Sequence, residues 1–247
     1  MEDMYMGIID IHTHMLYGID DGSPSREISL RLMGMDFEQG VHGIFCTNHS
    51  YGLEYNYQDY HRRFEKLSRE AADRYPGLAL YKGSEILCYR ERMSYNINNI
   101  QNDIFPVMNG TDYVLLEFMP YRTQGMEEMQ YCLEYALDKG YIPIIAHAER
   151  YQPIYVDPVT DLMKLKELGC LVQINLYSVE QDHGIRKELA NLFLKNRLVD
   201  CVGTDSHRMD YKSPEAAAGA AALREKYGDE YADKVLYRNA EELLINR

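Results

Sequence analysis

Ile9-Asp10-Ile11-His12-Thr13-His14 is the stretch that decides the fold, an apolar strand giving out in His-x-His, with Asp20-Asp21-Gly22 just beyond it. Side chains alternate along a strand with period two, so both imidazoles point to one side and can bite a single ion. The same design recurs outward along the chain. Thr47-Asn48-His49, Gly83-Ser84-Glu85, Leu115-Leu116-Glu117, Ile145-Ala146-His147 and Val202-Gly203-Thr204-Asp205-Ser206-His207 each place ligand-type side chains where an apolar run ends. Strand ends on one face of a barrel converge, so ligands scattered from His12 to His207 can meet at one multinuclear metal site.

Strands are expected at 7–11, 43–47, 79–83, 113–118, 142–146, 171–174 and 199–203. Helix-period segments fall between them, at 25–38, 57–74, 126–138, 158–168 and 185–195, with a helical tail over 214–245 broken at Tyr227-Gly228. Alternating strand and helix implies a parallel sheet. Seven strands with ligands at their C-terminal ends imply a closed or nearly closed α/β barrel, whose chemistry collects on that face. Gly40, Gly140 and Gly169 each follow a helix and precede a strand, where glycine suits a left-handed C-cap. The stretch 89–108 has no clear helix partner and reads as a long excursion at the strand ends, of the kind that shapes a pocket. No linker, repeat or low-complexity block divides the 247 residues, so 1–247 is read as one domain.

Composition narrows the function. A net charge of −13 gives little affinity for a nucleic acid backbone. The first residues are acidic and the first apolar run is short, so neither a secretory signal nor a stable membrane insertion is expected. The five cysteines, at 46, 88, 132, 170 and 201, form no C-x-x-C pair, and Cys46, Cys170 and Cys201, in apolar strand-like runs, read as reduced core residues of a cytoplasmic protein. Most of the 22 tyrosines read as amphipathic packing residues. His42, His61 and His183 lie away from strand ends and read as surface or helix-terminal residues. A lone His or Glu at a strand end can equally cap a helix or satisfy the backbone; six strand ends doing so together favour metal. Imidazole with carboxylate, and no thiolate, suits Mn, Fe, Zn or Co.

The order His-x-His, Asp-Asp-Gly, His, Glu, Glu, His, Asp-x-His resembles the polymerase and histidinol phosphatase (PHP) superfamily. Within it the chain resembles the manganese-dependent protein-tyrosine phosphatases of bacterial capsule and exopolysaccharide operons. Ile9-Asp-Ile-His-Thr-His, Ile19-Asp-Asp-Gly, Leu115-Leu-Glu-Phe, His147-Ala-Glu-Arg-Tyr, Gln173-Ile-Asn and Thr204-Asp-Ser-His carry that likeness, which runs on through Asn239 and Glu242-Leu-Leu. The resemblance implies a distorted seven-stranded (β/α)7 TIM-like barrel holding three divalent ions, Mn²⁺ first, with Fe, Zn, Co or Mg as substitutes. It implies that His12, His14, Glu85 and Asp205 hold one ion, that Glu85 bridges to a second completed by Glu117 and His147, and that Asp21, His49 and His207 hold the third. It implies hydrolysis of phosphotyrosine on protein by a metal-bound hydroxide, the substrate being an autophosphorylated tyrosine kinase tail. Arg150 would grip the phosphate, with Lys212 or Arg208 as a second basic contact. The residues after Glu85, and Asn239-Ala240, depart from the family's usual pattern.

Rival chemistries can be tested by counting. Cysteine-dependent phosphatases need Cys-x5-Arg, but the residues six beyond the cysteines are Gly52, Ser94, Asp138, Leu176 and His207. Asp-x-Asp and Gly-x-x-x-x-Gly-Lys-Ser/Thr are absent from the sequence. A histidinol-phosphate type phosphatase would share barrel and metals and differ at the pocket rim. A TatD-like nuclease also begins with His-x-His, but lacks reason for His49 and the terminal Asp-x-His. A non-catalytic phosphotyrosine-binding module would have no need of a complete ligand set.

Overall fold

The computed structural model of the chain describes residues 7–119 and 125–246, so the expectations placed on residues 1–6 lie outside the described residues. Eight strands are found among them, and every strand pair is parallel. One sheet contains β1 (Ile8–Thr13), β2 (Val41–Cys46) and β3 (Ala79–Lys82) in that order. The other runs β4 (Glu85–Cys88), β5 (Tyr113–Phe118), β6 (Ile142–Ile145), β7 (Leu171–Asn175) and β8 (Cys201–Gly203). Eight strands in two sheets thus stand where seven in one barrel were expected. The third expected strand, 79–83, is found as β3 and pairs with β2, while a strand that was not expected, β4, starts just past Gly83-Ser84 and pairs with β5.

The break between the two has a local cause. The buried Tyr60 hydroxyl donates to the Gly83 carbonyl at 2.9 Å and accepts from the Gly83 N–H at 3.1 Å, taking both groups away from a ladder. Ser84 turns aside to donate to the Pro106 carbonyl at 2.8 Å. A Cβ at Gly83 would stand 2.9 Å from Thr47 and Met108 side chains, so only glycine lets the strand pass.

The sheets meet at both edges through single bridges rather than ladders. Thr13 bridges Ser206, with the His14 N–H donating to the Ser206 carbonyl at 2.7 Å and Asp205 N–H to the His12 carbonyl at 2.8 Å. His49 bridges Glu85, whose N–H donates to the Thr47 carbonyl at 3.0 Å. Glu85 therefore opens a strand instead of ending one. Both seams lie among the candidate ligands.

Strand side chains alternate between two apolar clusters. Val114, Leu116 and Phe118 of β5 join the larger one, between sheet and helices, while Tyr113 and Leu115 join Ile9, Ile11, Phe45, Ile144 and Cys201 in the smaller. Helices α1 (Arg26–Glu38), α2 (Ser50–Arg74), α3 (Met93–Gln101), α4 (Met126–Asp138), α5 (Pro158–Glu167), α6 (Leu176–Glu180), α7 (Ile185–Lys195), α8 (Ala217–Tyr227) and α9 (Asp229–Asp233) fill the connections. Helix α1 starts where Ser25 accepts the Ile28 N–H. Gly40 and Gly140, at φ +90° and +86°, return the chain from helix to strand. Helix α3 lies inside the excursion expected over 89–108. Its asparagines are poor helix formers, but Met93, Ile97 and Ile100 fall on one buried side. Among the described residues no helix is long and apolar enough to cross a membrane.

Candidate metal centre

The end of β1 is clamped before any ligand is placed. Buried Asp10 accepts the backbone N–H groups of His12 at 3.1 Å and Thr204 at 3.0 Å, and also the Thr204 hydroxyl. A Cβ at Gly203 would stand 2.6 Å from that of His12, so glycine lets β8 approach β1 closely. His12 and His14 then face each other, Nε2 to Nε2, at 3.3 Å. At most one of two imidazole nitrogens can donate a hydrogen bond to the other; the arrangement suits lone pairs converging on a cation.

Glu85 lies at the heart of the cluster. Its Oε1 is 3.2 Å from His12 Nε2 and 2.9 Å from His147 Nε2; its Oε2 is 3.2 Å from His14 Nε2 and 2.8 Å from His49 Nδ1. Oε2 is buried, yet none of these approaches has the directions of a hydrogen bond to it. Glu117 completes this side, 3.7 Å from both His49 and His147. On the other side, Asp21 Oδ1 is 3.7 Å from His49 Nε2 and 3.9 Å from His207 Nε2, while the His207 ring stacks on His14 at 3.9 Å. Asp205 Oδ1 is 3.7 Å from His12 and 3.5 Å from His14.

These side chains form four overlapping groups whose ligand atoms lie within 4.8 Å of one another: His14, Asp21, His49 and His207; His12, Glu85 and His147; His12, His14 and Asp205; His49, Glu85 and Glu117. Together they use all nine residues expected as ligands and no other. The groups differ in detail from the sets implied by the resemblance, since His14 joins Asp21, His49 and His207, and His49 joins Glu85 and Glu117.

The electrostatics follow from packing carboxylates and imidazoles out of water. Burial opposes charge on His12 and His49, but Glu85 beside both outweighs it, raising them to about 9 and about 10. Burial and Arg150 push His147 down to about 4, and burial with His14 pushes His207 down to about 3. Burial and the Glu85 charge raise Glu117 to about 7. Burial disfavours the charge on Glu85 and Asp205, yet their cationic neighbours hold both well below the usual carboxylate range.

Two basic side chains meet at Asp205 Oδ2. Arg150 Nη1 donates to it at 3.1 Å and Lys212 Nζ at 2.7 Å. Both line a cavity of about 510 Å³ beside the cluster. Arg208 is not brought there: it is half-buried, does not line that cavity, and its Nε lies 3.4 Å from Asp210. His147, Asp205 and Lys212 all adopt left-handed backbone, at φ +30°, +56° and +50°, a region costing about 1–3 kcal/mol for non-glycine residues. His42 and His183 are exposed and His61 sits on α2 near Asp103, all away from the cluster.

Several positioning groups escaped the sequence reading. Asp20 accepts from His14 Nδ1 at 2.8 Å and from the backbone N–H of His49 at 2.7 Å, and its other oxygen accepts from Gly22 N–H and the Asn48 amide. Gln173 Oε1 accepts the His147 N–H at 2.6 Å and faces His12 Nδ1 at 3.3 Å. The Tyr151 hydroxyl meets His147 Nδ1 at 3.1 Å, and Tyr51 donates to Asp21 at 2.8 Å. Such partners fix ring orientation and ligand basicity. Asp20 and Gln173 stood within quoted motifs, which was the available signal.

Comparison with known proteins gives this geometry a setting. Residues 8–245 match the family described as capsular polysaccharide synthesis, CpsB/CapC. The tyrosine-protein phosphatase CpsB of Streptococcus agalactiae serotype V (strain ATCC BAA-611 / 2603 V/R) is 28% identical over 247 residues, covering 97% of this chain and 99% of that one. The tyrosine-protein phosphatase YwqE of Bacillus subtilis (strain 168) is 29% identical, covering 97% and 92%. A solved structure from work on YwqE of Bacillus subtilis and CpsB of Streptococcus pneumoniae, described as unique metal-dependent tyrosine phosphatases, superposes with a TM-score of 0.81. It is 25% identical and covers 97% of this chain and 95% of that one.

Proposed function

This chain belongs to the capsular polysaccharide synthesis CpsB/CapC family, and from that premise we infer what its strand-end cluster does. It is a metal-dependent protein-tyrosine phosphatase, and its substrate is phosphotyrosine on protein. The observation that carries this reading is the convergence of nine imidazole and carboxylate donors beside two cations, in a chain similar along nearly its whole length to tyrosine phosphatases.

The donor set fits a metal centre: facing imidazole nitrogens and a buried carboxylate oxygen without a hydrogen bond are what a cation would satisfy. We assign His12, His14, Asp21, His49, Glu85, Glu117, His147, Asp205 and His207 to three divalent ions, manganese before iron, zinc, cobalt or magnesium. Bound divalent ions supply positive charge against a phosphate dianion and lower the pKa of water toward about 7. Asp10, Asp20 and Gln173 hold the ligands in place. Arg150 and Lys212, side by side on the cavity wall, can each turn a donor to a phosphate oxygen, Arg150 as a planar fork and Lys212 as a point charge. A phenolate leaving group is weakly basic and needs little proton assistance. The placement of Lys212 on Asp205 favours it over Arg208 as the second contact.

We read residues 1–247 as one phosphatase domain, a distorted barrel of seven strand positions in which β3 and β4 share one. We place it in the cytoplasm, acting on the tail of an autophosphorylated tyrosine kinase. Side-by-side turnover of a phosphotyrosine peptide and histidinol phosphate, with metal content measured on the same preparation, tests the reading. Preference for histidinol phosphate would replace it with small-molecule phosphatase activity, and cleavage of DNA with a nuclease.

A further inference from the structure

The cavity beside the cluster has walls that phosphate chemistry leaves unused. Tyr177, Met209 and Tyr211 line it together with Arg150, Asp205 and Lys212. Their side chains are left 41%, 44% and 51% exposed. A single exposed aromatic is ordinary on a protein surface. Two tyrosines and a methionine lining one concavity, with a few convergent charged groups, have the composition of a ligand pocket.

Tyr211 is also held in place. Arg208 and Tyr211 form an antiparallel bridge, exchanging N–H to carbonyl bonds of 3.0 and 3.3 Å, and His207 N–H donates to the Lys212 carbonyl at 2.9 Å. This tight hairpin sets the Tyr211 ring edge-on to His207, with centroids 5.9 Å apart. Lys212 Nζ is 5.7 Å from the Tyr211 centroid and 2.7 Å from Asp205. Tyr177 stands in the first turn of α6, two residues past Asn175, whose side-chain amide donates to Asp205 at 3.3 Å. Both rings are thus tied through short links to the carboxylate on which Arg150 and Lys212 meet.

We propose that Tyr211 and Tyr177 cradle the phenyl ring of the phosphotyrosine whose phosphate Arg150 and Lys212 grip, and are specificity-determining residues for aryl over alkyl phosphates. The proposal rests on the phosphotyrosine reading above. Aromatic pairs prefer centroid separations of about 4.5–7 Å. With Lys212 Nζ 5.7 Å from the Tyr211 centroid, a phosphate on Lys212 stands beside that ring, and we place its ester ring against it. An alkyl phosphate would be gripped equally at the phosphate and gain nothing from these walls.

The test uses the metal-loaded enzyme and two probes: a phosphotyrosine peptide as substrate, and inorganic phosphate as a ring-free competitive inhibitor. For Tyr211→Ala and Tyr177→Ala we expect KM for the peptide to rise about threefold to tenfold relative to the inhibition constant of phosphate. Tyr211→Phe, which keeps the ring, should restore the ratio. Parallel movement of KM and the phosphate constant, or an unchanged KM in both alanine variants with normal metal content, would overturn the cradle. Failure of the wild type to turn over the peptide while hydrolysing other phosphomonoesters would instead overturn the phosphotyrosine reading.

Discussion

Arg150 and Asp205 form an ion pair at 3.1 Å across the mouth of the cluster, joining the helical turn after β6 to the loop after β8. The guanidinium belongs to no candidate ligand group, so its loss should separate substrate grip from metal binding. We expect Arg150→Ala to fold, keep its metals and lose activity. Charge-assisted hydrogen bonds contribute about 1.5–3 kcal/mol each, so kcat/KM should fall roughly tenfold to a hundredfold per bond lost. Arg150→Lys should recover part of it, because ammonium cannot reproduce the paired donors. Steady-state kinetics with metal content in parallel decide the point; loss of metals would make the residue structural.

Glu85 touches four candidate ligands, His12, His14, His49 and His147. Its replacement by Ala should therefore remove more than one metal equivalent and nearly all turnover. Elemental analysis of folded Glu85→Ala is the measurement, and unchanged occupancy would count against a bridging role.

Asp20 touches two candidate ligands and belongs to none of the four donor groups. We expect Asp20→Asn to weaken metal affinity by about ten- to a hundredfold, the usual scale for an outer partner of a ligating histidine. Titration with a competing chelator would show it. Affinity equal to wild type would mean that His14 and His49 are held well enough without the carboxylate.

All five cysteines are buried, and burial pushes Cys46, Cys132 and Cys170 up to about 12. A raised thiol pKa leaves the neutral form dominant at pH 8, with thiolate at about one part in ten thousand. Alkylation at pH 8 should thus be slow in the folded enzyme, fast after denaturation, and without effect on phosphatase activity while the fold holds. Strong chelation should abolish the same activity and Mn²⁺ restore it. Rapid inactivation by labelling one thiol in a folded enzyme would point to different chemistry.

The strand-end ligands were legible because two regularities reinforce each other: apolar runs mark the strands, and chemically costly residues stand where the runs stop. Glu117 and His147 could be placed that way from the sequence. The second strand beyond Gly83-Ser84 could not, because only 79–83 read as strand and the break depends on Tyr60 reaching in from α2. Helix α3 was hidden by its asparagines, and only packing of Met93, Ile97 and Ile100 reveals it. The adjacent Asp20 and Asp21 look alike in sequence; which turns inward depends on the loop's path. Lys212 and Arg208 were likewise separated only by the hairpin, which sends one cation to Asp205 and leaves the other beside Asp210.

His147, Asp205 and Lys212 all leave the backbone from left-handed residues. Glycine would relax each of these positions, at the loss of an imidazole, a carboxylate and an ammonium. A library screened only for heat resistance would enrich such replacements and return sturdy, inert proteins. Engineering for durability should begin elsewhere, among the outer helices, with these three positions held constant from the first round.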